Sequence, residues 1–290
     1  MTPEKKEKYF LDTSIVHPYL QSSQPYKQYL KNHFLDNPLY ITKYVKMEYY
    51  RGHLRNLLDF YFHLSMDSVK TLGDAIIIWN HHFASRKNKA ISGFVANLFN
   101  THNLNINDIN DKSNALTILA TYIKRLAIKL KRSFKDVGTD ETKCARANIT
   151  LEGIAINQDT SEIYNKFIKE FDDVKKCRSQ CTIDIFFSKK YNKEANNYIE
   201  YLNKLDKQKR SENIGFVKII SGLENAMKNG KFSCHLCKII GDAVISLEAP
   251  ICMRLEHTDH SFDHLCTIIN QPHFKHPHET AVIRQPLTSP

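Results

Sequence analysis

The 290-residue chain contains little glycine, and the sequence patterns that cradle nucleotides are missing from it. Glycine accounts for 9 residues, whereas its average frequency in proteins is about 7%. No two glycines form a Gly-x-Gly sequence, and the single Gly-Lys pair, Gly230-Lys231, has no glycine five residues before it. The glycine-rich loops of dinucleotide-binding and Walker-type proteins are therefore absent as sequence patterns.

A long apolar segment is missing as well. The longest aliphatic stretch lies near Ala75–Trp79, far short of the ~20 residues that a membrane helix needs. The first ten residues are charged and lack the apolar run of a signal peptide. Seven cysteines are an odd number in a chain that is large enough to fold without disulfides, which favours reduced thiols. We therefore expect a cytoplasmic protein with no membrane span.

The charge balance is positive and unevenly distributed. Lys+Arg 41 against Asp+Glu 31 gives a net charge of +10, of which +9 falls within residues 64–231. This surplus indicates either a polyanionic partner or a solubilising surface. The composition, 42% hydrophobic and 25% charged, is that of an ordinary folded protein.

The pattern of apolar residues predicts short strands that alternate with helices. Predicted strands cover Lys8–Leu11, Leu39–Ile41 and Ile251–His257, since short apolar runs bounded by polar residues are typical of buried strands. Helices are predicted at the following places: after Thr13 but interrupted at Pro18, 42–63, 116–134, Ser161–Lys176, Tyr191–Lys207, Ile214–Met227 ended by Gly230, Gly241–Ala249, and a helix capped by Ser261. The tail Pro272–Pro290 is predicted to be irregular.

Four acidic residues follow or open these elements. Asp12 follows the first strand, Glu48 lies on the next long helix, Asp242 opens a late helix, and Asp259 follows a late strand. Open α/β sheets bind ligands at the carboxyl ends of their strands, so Asp12 and Asp259 are expected at one edge. The alternative interpretation is that these acids are helix caps, because Asp242 and Asp259 both suit helix N-termini.

Four short motifs surround these acids: Leu11-Asp12-Thr13-Ser14, helical Glu48, Asp242-Ala243-Val244-Ile245, and Thr258-Asp259 with Phe262. Together they resemble the PIN-domain nuclease family, including its toxin-type members. The resemblance covers roughly residues 6–63 and 232–270 and implies a three-layer α/β/α core with a central parallel sheet. On this basis residues 1–63 and 232–290 are predicted to form a discontinuous nuclease core. Residues 64–231 are predicted to be a basic, mainly helical insertion.

Four carboxylates in one crevice would repel one another and would stay partly protonated without a counter-charge. One or two Mg²⁺ or Mn²⁺ ions would balance them, because hard cations prefer oxygen ligands. We predict Asp12, Asp242 and Asp259 as direct or water-mediated ligands, and Glu48 as a ligand or as the group that orients the attacking water. Supporting residues are predicted at four further positions: Thr13, Ser14, Thr258 and, as a fifth acid, Asp263.

The resemblance implies a Mg²⁺- or Mn²⁺-dependent endoribonuclease that hydrolyses phosphodiester bonds, with RNA favoured over DNA. It also implies an inhibitory or antitoxin protein as a partner, and a homodimer as one assembly state. The alternative is a non-catalytic RNA-binding or scaffold protein with a degraded PIN-like fold, which a structural zinc ion would stabilise.

Basic residues in the middle of the chain are candidates for contacting nucleic acid. They are Arg86, Lys87, Lys89, Lys124, Arg125, Lys129, Lys131 and Arg132. The last five lie opposite an apolar stripe in the predicted helix, so this face would follow a nucleic-acid backbone, lie on an anionic membrane, or simply be solvated.

Cysteines and histidines near the C-terminus leave two questions open. Cys177, Cys181, Cys234 and Cys237 would form a structural four-thiolate Zn²⁺ site, or else they are buried free thiols. His257, His260 and His264 surround Asp259 in sequence. They would take a metal or acid/base role, bind phosphate, or lie on the surface.

Overall fold

The computed structural model describes residues 7–21, 24–35, 37–82, 86–137, 182–232 and 236–283, together with residues 162 and 165. Residues 24, 82, 86–90 and 283 are described by their backbone alone. The described chain divides into two compact units. The sheet unit contains residues 7–49, 130–137 and 182–283, and the helical unit contains residues 50–129.

A parallel sheet of five strands forms the centre of the sheet unit, in the order β3-β2-β1-β4-β5. The strands are β1 (Tyr9–Leu11), β2 (Leu39–Ile41), β3 (Lys135–Asp136), β4 (Arg254–His257) and β5 (His273–Lys275). Strand β1 is buried along its whole length, as a short apolar run in a parallel sheet should be. The predicted α/β class with a central parallel sheet is confirmed.

Helices make up most of the remaining described chain. They are α1 (Thr13–Gln21), α2 (Gln24–Phe34), α3 (Lys43–Tyr49), α4 (Arg55–Ser65), α5 (Leu72–His82), α6 (Arg86–Thr101), α7 (Asp111–Ser133), α8 (Ile183–Ile185), α9 (Asn192–Lys204), α10 (Lys207–Glu212), α11 (Ile214–Asn229), α12 (Leu236–Ile239), α13 (Gly241–Glu248), α14 (His260–Ile268) and α15 (Glu279–Ile283). Two π-helical turns, Tyr50–Leu54 and Phe186–Lys190, precede α4 and follow α8. Helix α11 ends at Gly230, whose φ of 61° is the left-handed conformation that glycine adopts readily.

Helices lie on both faces of the sheet. Consecutive side chains of a strand point to opposite faces, and two neighbours in β4 show which helix covers each face. Glu256 contacts His33 of α2, whereas His257 lies 3.7 Å from the carboxylate of Asp263 in α14. Helices α2 and α14 therefore lie on opposite faces, which gives the sheet unit three layers.

The chain leaves the central strands in opposite directions. From β1 it runs outward to β2 and β3, and on the other side of β1 it runs from β4 to β5. The boundary between β1 and β4 is therefore the point at which the strand order reverses, and ligands of open α/β sheets bind at the carboxyl ends of strands at such a point. Asp12 directly follows β1, and Asp259 lies two residues after β4.

Several elements differ from the sequence predictions. The tail is not irregular throughout, because β5 pairs with β4 in parallel and α15 packs against α2. Helix α1 continues through Pro18 rather than stopping there. The single helix predicted for residues 42–63 is observed as α3, a π-helical turn and α4. The helix predicted for Ser161–Lys176 lies outside the described residues, except for residues 162 and 165.

The two units do not coincide with the predicted boundaries at residues 63/64 and 231/232. Strand β3, which falls within the predicted insertion, adds an edge to the sheet through its pairing with β2. Helices α9 and α11 also fall there, and both pack against α14 of the sheet unit. The residues that fill the sheet unit therefore extend well beyond the region of the family resemblance.

In the described part of the chain, no helix combines the length and the apolar character needed to cross a membrane.

Candidate metal centre

Asp12 is held in a buried position where β1 turns into α1. Its backbone N–H donates to the carbonyl of Glu256 at 3.0 Å, and its own carbonyl accepts from Ile15 and Val16. Its Oδ2 accepts a hydrogen bond from the backbone N–H of Ser14 at 2.8 Å. The side chain is therefore both the first polar group after the strand and a cap for the helix.

Asp259 and Asp242 belong to the N-termini of two helices that pack together, α14 and α13. Asp259 occupies the position before α14, but its side chain makes no capping hydrogen bond. Asp242 accepts a hydrogen bond on Oδ2 from the hydroxyl of Ser261 at 2.6 Å. Capping by the side chain therefore does not account for Asp259.

Ser261 has a different role from the predicted helix cap. Asp259 occupies the capping position of α14, and the Ser261 hydroxyl instead bonds to Asp242 across the interface between α13 and α14. The sequence contained one relevant signal, which is that Ser261 follows Asp259 by two residues and so lies in the first turn beside it.

Glu48 reaches this region from α3, which packs against α13. Its Oε2 accepts a hydrogen bond from the Thr13 hydroxyl at 2.7 Å. Its Oε1 lies so near Gly241 that a Cβ at that position would be only 2.5 Å away. A glycine at the start of α13 is therefore what allows the carboxylate to approach the helix beside Asp242.

Mutual repulsion links three of these carboxylates. Burial and the charges of Asp12 and Asp259 together raise the pKa of Asp242 to about 7, while the Ser261 hydrogen bond opposes the shift. Burial also raises the pKa of Asp12, against hydrogen bonds from Ser14, and the charge of Asp259 adds to that rise. We refer to Asp12, Glu48, Asp242 and Asp259 as the acidic cluster.

The acidic cluster is more open than a site in which one ion is held by three protein ligands. Among the described residues, only two other groups of three metal-ligating side chains have all donor atoms within 4.8 Å of one another. A donor set made only of carboxylate oxygens suits Mg²⁺ or Mn²⁺, and Mg²⁺ usually keeps several waters while using one or two carboxylates. The cluster therefore fits a hydrated hard cation.

The predicted supporting residues fall into two groups. Thr13 contacts Glu48, and the Ser14 hydroxyl accepts a hydrogen bond from the backbone N–H of Thr258 at 3.1 Å, which joins α1 to the end of β4. Thr258 thus takes part through its backbone. Asp263 has other partners, because Lys275, His257, His260 and His273 all lie within 4 Å of its carboxylate.

The histidines predicted around Asp259 also separate. His257 and His260 lie beside Asp263, whereas His264 bonds to Asn213 at 2.7 Å and packs on Phe216. The third histidine therefore belongs to the packing of α14 against α11.

A second buried polar group lies on the opposite face of the sheet, and sequence reasoning missed it. Glu256 accepts from Arg254 at 2.6 Å and lies 3.2 Å from His33 and 2.7 Å from His276. The His276 ring in turn lies 3.1 Å from the hydroxyl of Tyr29. Because Arg254 balances the buried carboxylate, this group is a hydrogen-bonded network that is complete without an ion.

Helix α7 carries the predicted basic face. Ile123, Leu126 and Leu130 are buried, while Arg125 and Lys129 in the helical unit are exposed and Lys124 is half-buried. Lys131 and Arg132 continue the exposed side within the same helix. In the described part of the chain, no hydrogen bond or ion pair engages these five cations.

A pocket of ≈ 550 Å³ lies beside this face within the helical unit. Its lining includes Lys124 and Arg125 together with Tyr61, Thr121 and Ile128. The pocket thus combines positive charge, hydroxyl groups and one aromatic ring.

Other predicted site residues lie outside the part of the structure that can be described. Arg86, Lys87 and Lys89 belong to α6, but their side chains are not among those described. Cys177, Cys181 and Cys234 lie outside the described residues, while Cys237 is buried in α12. The four-thiolate Zn²⁺ site stays a prediction.

No family model, curated protein or solved structure matches this chain.

The raised pKa of Asp242 predicts a pH-dependent effect of Asp242→Asn on stability in the metal-free protein. Between about pH 4 and pH 7 the folded chain holds a proton on Asp242 that the unfolded chain has lost, so this group stabilises the fold at low pH, and that stability is lost as the pH rises through 7. Asparagine cannot ionise. Urea unfolding in EDTA should show the variant more stable than the native chain at pH 8 by on the order of 2 kcal/mol, and nearly equal to it at pH 4.

The matched control is Asp67→Asn, because Asp67 is an exposed carboxylate in the helical unit. This variant should differ little from the native chain at either pH. If Asp242→Asn changed the free energy of unfolding equally at pH 4 and pH 8, the raised pKa of Asp242 would be wrong.

Proposed function

We propose that this chain is a metal-dependent nuclease that hydrolyses phosphodiester bonds of RNA on a PIN-like core. The observation that carries the proposal is the convergence of the acidic cluster. Asp12 and Asp242 interact although they lie 230 positions apart in the sequence, and Asp259 interacts with both. Glu48 joins them through Thr13 and Gly241. These are the four acids of the family resemblance.

The sheet supports the same proposal. Asp12 and Asp259 follow the carboxyl ends of β1 and β4, where the strand order reverses and where open α/β sheets bind their ligands. The ligand of such a crevice would meet carboxylates from two helices and two strand ends. A phosphodiester is itself negatively charged, so this crevice requires a cation to accept it.

Mg²⁺ or Mn²⁺, when bound, would supply the positive charge that activates a water and stabilises the leaving oxygen. The chain's own contribution is to hold the oxygen donors in place. Asp12, Asp242 and Asp259 would bind the cation directly or through waters. Thr13 fixes the carboxylate of Glu48, so that Glu48 either completes the ligand set or orients the attacking water.

Asp242 also carries a proton in the absence of a cation. With a pKa of about 7, its carboxyl group is half protonated near neutral pH. Binding of a cation requires the ionised form, so it would displace this proton. Ser261 orients the carboxylate through the hydrogen bond that its hydroxyl donates to Oδ2.

The basic face of α7 is proposed to hold the RNA backbone. Lys124, Arg125 and Lys129 lie within five positions of one another, and the first two line the pocket beside Tyr61. Phosphate contacts of this kind give affinity without sequence preference. An inhibitory or antitoxin partner and a homodimer remain part of the proposal and rest on the family resemblance, whereas the proposed cytoplasmic location rests on the odd number of cysteines.

The open spacing of the acidic cluster favours one alternative. No three of its carboxylates have donor atoms within 4.8 Å of one another. If this wide spacing reflects a degraded site that binds no cation, the chain is instead a non-catalytic RNA-binding or scaffold protein. A cleavage assay separates the two functions.

Cleavage of single-stranded RNA by the full chain should require Mg²⁺ or Mn²⁺ and should stop in EDTA. Asp12→Asn and Asp242→Asn should each lower the cleavage rate by about 10²-fold or more, because each removes an anionic ligand and leaves the remaining carboxylates without their cation. Gel analysis of a labelled RNA at saturating Mn²⁺ measures the rate.

Two glycine variants test the position of Glu48. Gly241→Ala should displace the Glu48 carboxylate, because the added Cβ would lie 2.5 Å from Oε1, and should slow cleavage while the chain stays folded. Gly215→Ala, where an added Cβ meets nothing within 4 Å, is the matched control and should cleave normally.

Metal-dependent cleavage that survived both Asp12→Asn and Asp242→Asn would refute the assigned site.

Charge reversal on α7 should weaken RNA binding. We expect the triple variant Lys124→Glu, Arg125→Glu and Lys129→Glu to lose about tenfold or more in affinity and to show a shallower dependence on salt concentration, because fewer counterions are released. Fluorescence anisotropy with labelled RNA at several salt concentrations measures both quantities.

The matched control reverses the same number of charges on exposed lysines of α9 and α10. It combines Lys204→Glu, Lys207→Glu and Lys209→Glu. An equal loss of affinity in both triple variants would show that net charge, rather than the α7 face, governs binding.

A further inference from the structure

Three side chains on the α14 face of the sheet place metal-ligating atoms around one point. His257 is the last residue of β4, His273 is the first residue of β5, and Asp263 lies in the first turn of α14. Three separate elements thus contribute one donor atom each. The group lies on the face of the sheet opposite the Glu256 network, and it shares no residue with the acidic cluster.

The separations between the three donor atoms match the size of a transition-metal ion. Nε2 of His257 lies 3.1 Å from Nδ1 of His273, and Oδ1 of Asp263 lies 3.7 Å and 3.9 Å from these two atoms. The point equidistant from all three atoms is about 2.1 Å from each of them, and Zn²⁺ binds histidine nitrogen at about 2.0–2.1 Å and carboxylate oxygen at about 2.0–2.2 Å. The spacing of the three atoms therefore allows one ion to contact all of them.

Hydrogen bonding accounts for only one of the three approaches, that of the two rings. Only the two ring nitrogens approach within hydrogen-bond distance, while the carboxylate oxygen lies beyond it from either ring. The His257 side chain is fully buried. A neutral imidazole is the form that binds metal.

The site is open on one side. The side chains of Asp263 and His273 are 34% and 26% exposed, so an ion can enter and a further coordination position faces solvent. The second oxygen of Asp263, Oδ2, is bound by Lys275 at 3.0 Å and lies 3.3 Å from His260. Lys275 therefore neutralises the carboxylate in the metal-free chain and competes with an ion for it.

We propose that His257, Asp263 and His273 form a second metal site, selective for a divalent transition ion such as Zn²⁺. Two imidazoles and one carboxylate favour such ions over Mg²⁺, which prefers oxygen ligands. An ion bound there would tie β4, α14 and β5 together on either side of Asp259. The site is independent of the proposed function, since it shares no ligand with the acidic cluster.

Zn²⁺ titration of the full chain, freed of metal beforehand, tests the proposal by calorimetry. The native chain is expected to bind one equivalent of Zn²⁺ at this site. Asp263→Asn and His273→Asn should each lower the affinity for that equivalent by at least tenfold. Lys275→Met should bind this equivalent several-fold more tightly, because the competing ammonium is gone. His278→Asn alters an exposed histidine of the same tail and should bind as the native chain does.

Co²⁺ distinguishes this site from the cysteines, because thiolate ligation adds charge-transfer absorption that a nitrogen and oxygen site lacks. Co²⁺ bound at this site should give visible bands without thiolate charge-transfer absorption. These bands should disappear in Asp263→Asn. Circular dichroism confirms that each variant is folded. Because no ligand of this site belongs to the acidic cluster, a failure of the nuclease proposal leaves this test intact. Unchanged affinity and stoichiometry in folded Asp263→Asn and His273→Asn would overturn the proposal.

Discussion

The parallel pairing of β1 with β4 is the constraint on which the other arrangements depend. It places Leu11 opposite Glu256, so Asp12, the residue after β1, and the residues after β4 emerge at the same edge of the sheet. Two hydrogen bonds fasten this edge, from Asp12 to the Glu256 carbonyl and from Thr258 to the Ser14 hydroxyl. Residues from opposite ends of the chain thereby become neighbours.

The edge holds negative charge at a cost to stability. Burial and mutual repulsion raise the pKa of Asp12 and of Asp242, and neutral residues would avoid that cost. Hydroxyl groups of Ser14 and Ser261 relieve part of it by stabilising the ionised forms of their partners. Strain of this kind, concentrated in a few titratable groups at a crevice, is typical of functional sites. The proposed cation would convert the repulsion into binding affinity.

Local chemistry explains which features the sequence predicts well. The apolar run before Asp12 and the glycine after α11 act through neighbouring residues, so β1 and the end of α11 were predictable. Strand β5 was not, because His273–Lys275 is polar and becomes a strand through pairing with β4. The partners of Asp263 could not be predicted for the same reason, since His273 and Lys275 approach it only when β5 is paired with β4. The acids themselves were found from their motifs, but Ser261 and Gly241 acquire their roles from packing between helices.

Crystals of the chain grown with Mn²⁺ would test the central claim most directly. Anomalous scattering locates Mn²⁺ independently of any assumption about activity. The account predicts an anomalous peak within the acidic cluster, between Asp12, Asp242 and Asp259, with waters completing its coordination. Ordered carboxylates at this position without an anomalous peak, at a Mn²⁺ concentration that supports RNA cleavage, would contradict the account.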